Sequence, residues 1–364
     1  MVLRNLHCSF FRNITDLNLD FSPDGAIFEG SNGAGKTNIL EAVFLLCTGK
    51  SQRNAKKLSM INTQSAFSFI EGNFIADNKE PIRASYGFDR QKKTSMQINN
   101  IPILSVTEWF GKRPIVSFSV DDLELVYGTP DHRRKFLDIT CSQLYPEYFD
   151  ALLKYTFFLK NRNTLLTQTF EPDQCDIYDS YLAQYGAVVM TLRDIFIRES
   201  EYDFNRFYNE ICNGKETVKI IYKPSIFADC SSKEECKNVF YRTLQEQRKK
   251  DLDAHFTTAG IHRDNLEFYL NDMPVKQFGS QGQCRSIVLA LKLSSVTCME
   301  LHRKEKMIFL IDDAVAELDP LRISKVIPLI EKRGQLFIAT PVFSSPLTKP
   351  IPRYTVADGS VYQQ

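Results

Sequence analysis

The sequence predicts an α/β fold whose sheet is assembled from both ends of the chain, with a mostly helical lobe between them. Three observations carry this. Near the start, the short apolar segment Ala26-Ile27-Phe28 precedes a Gly-rich run and then a helix bearing Ile39, Leu40, Ala42, Val43, Leu45 and Leu46. Near the other end, Met307-Ile308-Phe309-Leu310-Ile311 runs into Asp312-Asp313. That is the pattern of a buried parallel strand with carboxylates at its C-terminal edge. Between these, from Asp131 to about Lys250, apolar residues recur at three- and four-residue spacing.

Taken in order, residues 2–8 and 14–21 read as a hairpin, with Leu17, Leu19 and Phe21 alternating with polar residues. Further strands are predicted at Phe67–Phe74, Ile82–Phe88 and Met96–Ile98, followed by an Asn99-Asn100 turn. Helices are predicted over Arg133–Leu144, Pro146–Gln168, Ile177–Asn209 and Lys233–His255, with Val218–Tyr222 interrupting as a strand. Leu266–Leu270 returns to strand character. An apolar helix then follows Ser280-Gln281-Gly282-Gln283, carrying Ile287, Val288, Leu289, Leu291, Leu293 and Val296. After the acidic strand come a strand at Gln335–Thr340 and a hairpin around Asp358-Gly359. The expected division is 1–127, 128–255 (the helical lobe) and 256–364. No repeat, low-complexity tract or sustained heptad run is present.

The Gly-rich run is Gly30-Ser31-Asn32-Gly33-Ala34-Gly35-Lys36-Thr37. Strand, loop and helix stand in the order of a phosphate-binding loop. Its glycines let backbone N–H groups turn inward on a polyphosphate, and the helix N-terminus adds partial positive charge. Lys36 would reach the β- and γ-phosphates, and the Thr37 hydroxyl would ligate Mg²⁺. The alternative is a chance Gly-rich turn. Asp312 is placed to hold Mg²⁺, and Asp313 to orient or deprotonate an attacking water. Alone, these acids could equally be a strand followed by an acidic turn.

Ser280-x-Gly282-Gln283 before an apolar helix resembles the signature motif of ABC-type ATPases. Its hydroxyl, Gly N–H and helix N-terminus would make a second anion site. An ordinary Ser-capped helix start is the rival reading. In that superfamily the segment closes on the γ-phosphate held by a partner subunit.

The whole chain resembles the RecF family, recombinational-repair ATPases related to SMC proteins. The likeness rests on Phe11-Arg12-Asn13, on Gly30 through Ala42, and on Gly49-Lys50-Ser51. It continues in Gly128-x-Pro130 with Arg133-Arg134 and Phe136-Leu137-Asp138, then Tyr155 with Arg162-Asn163, and Gly260 with His262-Arg263-Asp264. It ends in Ser280–Gln283 with Arg285, and Asp312-Asp313 with Glu317-Leu318-Asp319. Val120-Asp121 depart from the Pro-Glu of other members. The resemblance implies an ABC-type, SMC-like ATPase head without a long coiled coil. It implies an ATP-dependent homodimer that acts as a DNA-binding clamp in repair of gapped DNA. Recombinase loading, partners such as RecR and RecO, and a link to replication and the SOS response are implied with it. It also implies that Arg12 approaches the phosphates, with a surface salt bridge as the rival reading. Glu317–Asp319 resembles a loop crossing the dimer interface, against a plain N-cap by Asp319. Thr340 stands where many ABC ATPases carry a switch histidine.

Composition agrees with this. The 364 residues are 43% hydrophobic and 24% charged with net charge +1, ordinary for a globular protein. Basic clusters at Arg53/Lys56/Lys57, Arg90/Lys92/Lys93, Arg133–Lys135, Lys154/Lys160/Arg162 and Arg248–Lys250 are solvated faces or phosphate contacts. Nine scattered cysteines without a CxxC pair predict free thiols in a reduced cytoplasm, and no zinc. Neither a signal peptide nor a membrane span is expected. Two rival functions remain: a transporter's nucleotide-binding subunit, opposed by Arg12 and Thr340, and a DNA scaffold that binds ATP without hydrolysing it. Asp313, in place of the usual glutamate, keeps the latter open.

Overall fold

The computed structural model describes residues 1–53, 55–168, 171–212, 214, 216–227, 232–313, 319–344 and 347–364. In chain order the strands are β1 (Val2–Phe11), β2 (Ile14–Asp20), β3 (Gly25–Glu29), β4 (Phe67–Ile75), β5 (Pro81–Asp89), β6 (Thr94–Ile98), β7 (Ile101–Pro102), β8 (Ile115–Ser119), β9 (Val218–Lys223), β10 (Asn265–Leu270), β11 (Met273–Pro274), β12 (Met307–Asp312), β13 (Gly334–Thr340), β14 (Arg353–Ala357) and β15 (Ser360–Gln363). By compactness the chain forms two units. One is Met1–Asp122 with Glu210–Asn213 and Met299–Gln364; the other is Leu123–Asn209 with Gly214–Cys298. The β10 strand and the Ser280 segment, grouped by sequence with the 256–364 part, fall in the second unit by this measure.

The first unit holds two sheets. One is antiparallel, ordered β2-β1-β4-β5-β6-β7; the other is ordered β15-β14-β3-β13-β12-β8. In β2 the expected alternation holds: Ile14, Leu17 and Leu19 are buried, and Asp16, Asn18 and Asp20 exposed. In the second sheet β3, β13, β12 and β8 are parallel neighbours. The helix Lys36–Thr48 packs against strands of both sheets, and only Thr37 and Asn38 of it are not buried. That is why its sequence is apolar nearly all round rather than along one stripe. Strand β8 has no counterpart in the sequence-based expectations. Its Ile115-Val116-Ser117-Phe118-Ser119 is a short mixed run that becomes a strand by pairing with β12.

The second unit is mainly helical: Pro130–Leu144, Pro146–Leu166, Pro172–Cys212 and Lys233–Ala254. Three of these open on proline, whose missing N–H costs nothing at a first turn. The fourth is capped by Ser232, which accepts from Glu235 N at 3.1 Å. Buried polar clusters hold the unit together. Arg162, fully buried, donates to Asp179 (2.6 Å), Asp251 (2.7 Å) and Thr257 Oγ1 (2.8 Å). Arg193 donates to Tyr148 Oη, the Ile261 carbonyl, Asp264 and Asp138 at 2.8–2.9 Å. Burial pushes the His262 imidazole down to about 4, so the ring is neutral at pH 7. Its Nε2–H donates to the Thr257 carbonyl (3.0 Å), which leaves Nδ1 to accept from Tyr155 Oη (2.8 Å).

Two expectations change here. Of the basic clusters, Arg133, Arg162 and Arg248 are committed internally: Arg133 to Asn265 and two carbonyls, Arg248 to Asp176 and Asp179. They do not form a solvated face. Among the described residues seven cysteines are free, six of them buried. Cys236 is disulfide-bonded, which overturns the expectation of free thiols throughout.

Candidate functional site

Strand β3 ends at Glu29, and the chain curls through Gly30–Gly35 into the helix starting at Lys36. Gly30, Gly33 and Gly35 have φ of 156°, 83° and 118°, values that strain any side chain-bearing residue. Ser31, Asn32 and Gly33 are exposed. Lys36 is 4% exposed, and its Nζ donates to the carbonyls of Gly30 (2.8 Å) and Ser31 (3.0 Å). The ammonium therefore lies within the curl of the loop.

Strand β12 delivers Asp312 to the same edge of the sheet, with β13 between it and β3. Thr37 Oγ1 donates to Asp312 Oδ1 at 2.7 Å across 275 residues of sequence. Asp312 titrates at about 6 instead of 3.8. Burial is the main cause; the neighbouring Asp313 charge adds to it, while the Thr37 hydroxyl, Arg53 and Lys36 oppose it. Asp313 sits in a left-handed conformation (φ 51°), its N–H donating to the Ala339 carbonyl at 2.9 Å. Its Oδ1 is buried with no hydrogen-bond partner among the described residues. A buried acceptor without a donor at the mouth of an anion loop is suited to receive a water or a metal-bound ligand.

A charged Asp312 is thus unfavourable in the nucleotide-free protein. Because its folded value lies above its unfolded one, its contribution to stability is fully present below pH 3.8 and lost as the pH rises through about 6. The difference corresponds to roughly 3 kcal/mol at about 1.4 kcal/mol per pH unit. Asp312→Asn should therefore raise the nucleotide-free stability at pH 7.5 by about 1–3 kcal/mol. The wild type should gain on the variant as the solution is acidified from pH 7 to pH 4. Denaturant titrations of both proteins across that range check this; parallel pH profiles would contradict it.

Arg12 is ion-paired with Glu41. Its Nε and Nη2 each donate to Glu41 at 3.0 Å, and Nη1 donates to the Ser59 carbonyl. Glu41 is fully buried and also accepts from Ser51 Oγ at 2.5 Å. Ser51 in turn accepts from the backbone N–H of Arg53 and of Ala55, both at 3.1 Å. The loop carrying Arg53 is therefore anchored on the second turn of the phosphate-loop helix. The Arg53 charge is felt at Asp312. Glu41, Ser51 and Arg53 were not singled out as site residues by sequence. They stand within or beside the family blocks, but spacing alone does not show that they converge.

Ser119 pairs with Asp312 across the β8–β12 ladder, and Asp122 accepts from the Ser119 N–H at 2.6 Å. The divergent Val120-Asp121 thus stands beside the acidic strand. Thr340, buried, ends β13 opposite Glu29. Asp319 caps the helix Pro320–Glu331 by accepting from Arg322 N at 2.9 Å. Glu317 and Leu318 lie outside the described residues. In the second unit Ser280 is exposed and forms a reciprocal cap with Gln283: Gln283 N donates to Ser280 Oγ (3.3 Å) and Ser280 N to Gln283 Oε1 (2.9 Å). Gly282 lies between them, so the N-terminus of the helix Gln281–Arg303 is presented at the surface. No cluster of three or more His, Cys, Asp or Glu residues suited to a metal occurs among the described residues.

The family model described as an AAA domain matches residues 5–145. The chain is 33% identical over 334 residues to the DNA replication and repair protein RecF of Lachnoclostridium phytofermentans, covering 91% of this chain and 90% of that one. It is 32% identical over 368 residues to the RecF protein of Streptococcus thermophilus, covering 100% and 99%. The chain belongs to the RecF family of DNA replication and repair proteins. Among solved structures it resembles the recombination mediator protein RecF with ATPrS in the RecFOR pathway, at a TM-score of 0.90 and 28% identity over 99% of this chain and 97% of that one. The corresponding ATP structure matches equally well. An SMC head bound to the C-terminal winged-helix domain of ScpA matches at a TM-score of 0.59 and 12% identity, which shows a shared fold. The RecF-family chain thus has the ABC-type, SMC-like ATPase head that its motifs imply. No helix among the described residues is long and apolar enough to cross a membrane.

Proposed function

We propose that this RecF-family chain is an ATP-controlled, homodimeric DNA clamp of recombinational repair and replication, working in the cytoplasm with RecR and RecO. The observation that carries the reading is the meeting of Thr37 and Asp312 at 2.7 Å beside a loop that encloses the Lys36 ammonium. ATP would lie along Gly30–Thr37, with backbone N–H groups and Lys36 on its phosphates. A hydroxyl and one carboxylate, completed by waters and phosphate oxygens, is a donor set that suits Mg²⁺. Held there, the ion would neutralise phosphate charge. The unpartnered Oδ1 of Asp313 is the acceptor available to orient an attacking water, making the chain a slow ATPase.

The solvent-facing Ser280 helix start would receive the γ-phosphate bound by a second copy. ATP then favours the closed dimer, because only that state makes these contacts. The RecFOR pathway in which the similar RecF structures are placed supports the RecR and RecO assignment. Exposed Lys56, Lys92 and Lys93 of the first unit are proposed phosphate contacts for DNA.

The test is sedimentation of the wild-type protein with ATP, ADP or no nucleotide, with and without duplex DNA. The dimer should appear with ATP alone and increase with DNA. A monomer under every condition would overturn the clamp.

A further inference from the structure

We infer that the β14–β15 hairpin is a positioning element for the phosphate loop, with the Gly359 amide fixing the direction of the Ala34–Gly35 peptide; this rests on the nucleotide-site reading above. Strand β14 runs parallel to β3, pairing Arg353 with Ile27, Tyr354 with Phe28 and Thr355 with Glu29. The alignment continues beyond the strand end, where a Cβ on Gly30 would lie 2.3 Å from the Val356 carbonyl oxygen. The chain then turns at Asp358-Gly359, with φ of 47° and 79°, the double positive of a tight hairpin turn. At that turn the Gly359 N–H donates to the Ala34 carbonyl at 2.8 Å. The same carbonyl accepts from Asn13 Nδ2 at 3.2 Å, and Asn13 Oδ1 accepts from Asn38 Nδ2 at 2.7 Å.

The consequence follows from peptide planarity. In a trans peptide the C=O and the following N–H point in opposite directions. Two donors outside the loop hold the Ala34 carbonyl toward the hairpin and Asn13. The Gly35 N–H is thereby held pointing away from them, toward the concave side where an anion is received. The hairpin and Asn13 thus prearrange a phosphate-binding donor before any ligand arrives, which lowers the ordering cost of binding. Neither element carries the phosphate-loop motif; both act on the loop through the Ala34 carbonyl.

The experiment measures ATP affinity by isothermal titration calorimetry for Gly359→Ala, Asn13→Ala, the double variant, Asp358→Asn and Lys36→Ala, with nucleotide-free melting recorded for each. Gly359→Ala places a Cβ 2.4 Å from the Asn13 carbonyl oxygen at a positive φ, so the turn must shift. Gly359→Ala and Asn13→Ala should each weaken ATP binding by about tenfold, and the double variant by less than the product, because both donors act on one carbonyl. Asp358→Asn, equally suited to the turn, should bind as the wild type does. A merely structural role would lower the melting temperature and leave the affinity of the folded protein unchanged; that result overturns the inference. If Gly359→Ala does not fold, Asn13→Ala decides alone, and wild-type affinity there overturns it too. If Lys36→Ala also binds ATP normally, the nucleotide site itself is misassigned, and the inference falls with it for that separate reason.

Discussion

Lys36→Ala will lose ATP binding. The Lys36 ammonium is enclosed by the loop and donates to two of its carbonyls, those of Gly30 and Ser31. Phosphate oxygens would replace neutral acceptors with charged ones at almost the same position, so the cation needs little rearrangement to bind. Hydrogen bonds to charged groups contribute about 1.5–3 kcal/mol each. Losing two of them, about 3–6 kcal/mol, lowers affinity by roughly 10²- to 10⁴-fold. Lys36→Arg retains charge but brings a planar, bulkier head into a site with 4% exposure. It should keep part of the binding and lose turnover. Calorimetry with ATP reads both, and equal affinity of Lys36→Ala and wild type would sink the site assignment.

The phosphate loop and the acidic strand are readable in sequence because each is local. Gly30–Thr37 is one continuous motif, and Asp312-Asp313 ends a strand whose apolar run is uninterrupted. Their joint position follows from the parallel-sheet rule that ligands gather at the C-terminal strand edge. Arg12 shows the opposite case. Its sequence context allows either a phosphate contact or an ion pair, and the ion-pair partner, Glu41, stands 29 residues away. A helix periodicity places Glu41 on a buried turn but does not name its partner.

The family blocks in the middle of the chain behave in the same way. Asp138, Tyr155, Arg162, Asn163, His262 and Asp264 are recognisable as blocks, yet what they do emerges only when distant helices bring them together. Asn163 Oδ1 accepts from both the N–H and the hydroxyl of Thr257, and Arg193, outside every block, links Asp138 to Asp264. These are buried polar clusters with their partners supplied from far along the chain. They hold the second unit together, and they engage Arg133 and Arg162 internally rather than leaving them on a solvated face. Removing one partner from such a cluster would strand a buried charge. Strand β8 is not legible in sequence because five residues of mixed polarity have no period of their own; its pairing with β12 makes it a strand.

Ser280→Arg will separate nucleotide binding from dimerisation. Ser280 is exposed, lies in the second unit, and caps its helix reciprocally with Gln283. An arginine removes the hydroxyl acceptor, an effect of about 1 kcal/mol at a helix cap, too little to unfold the unit. Its larger consequence is steric. A long, charged side chain occupies the helix N-terminus that would receive the γ-phosphate of a second copy. ATP affinity should stay within about threefold of wild type, since the cap is not part of the Lys36 loop. ATP-induced dimerisation should be lost, and with it ATP-stimulated DNA binding. DNA contacts through lysines to phosphates imply an affinity that falls steeply with salt and shows little sequence preference. Sedimentation with ATP and a DNA titration at two salt concentrations read all of these. A Ser280→Arg protein that still dimerises, or a wild type whose DNA affinity is indifferent to both salt and ATP, would leave the clamp without its closing contact.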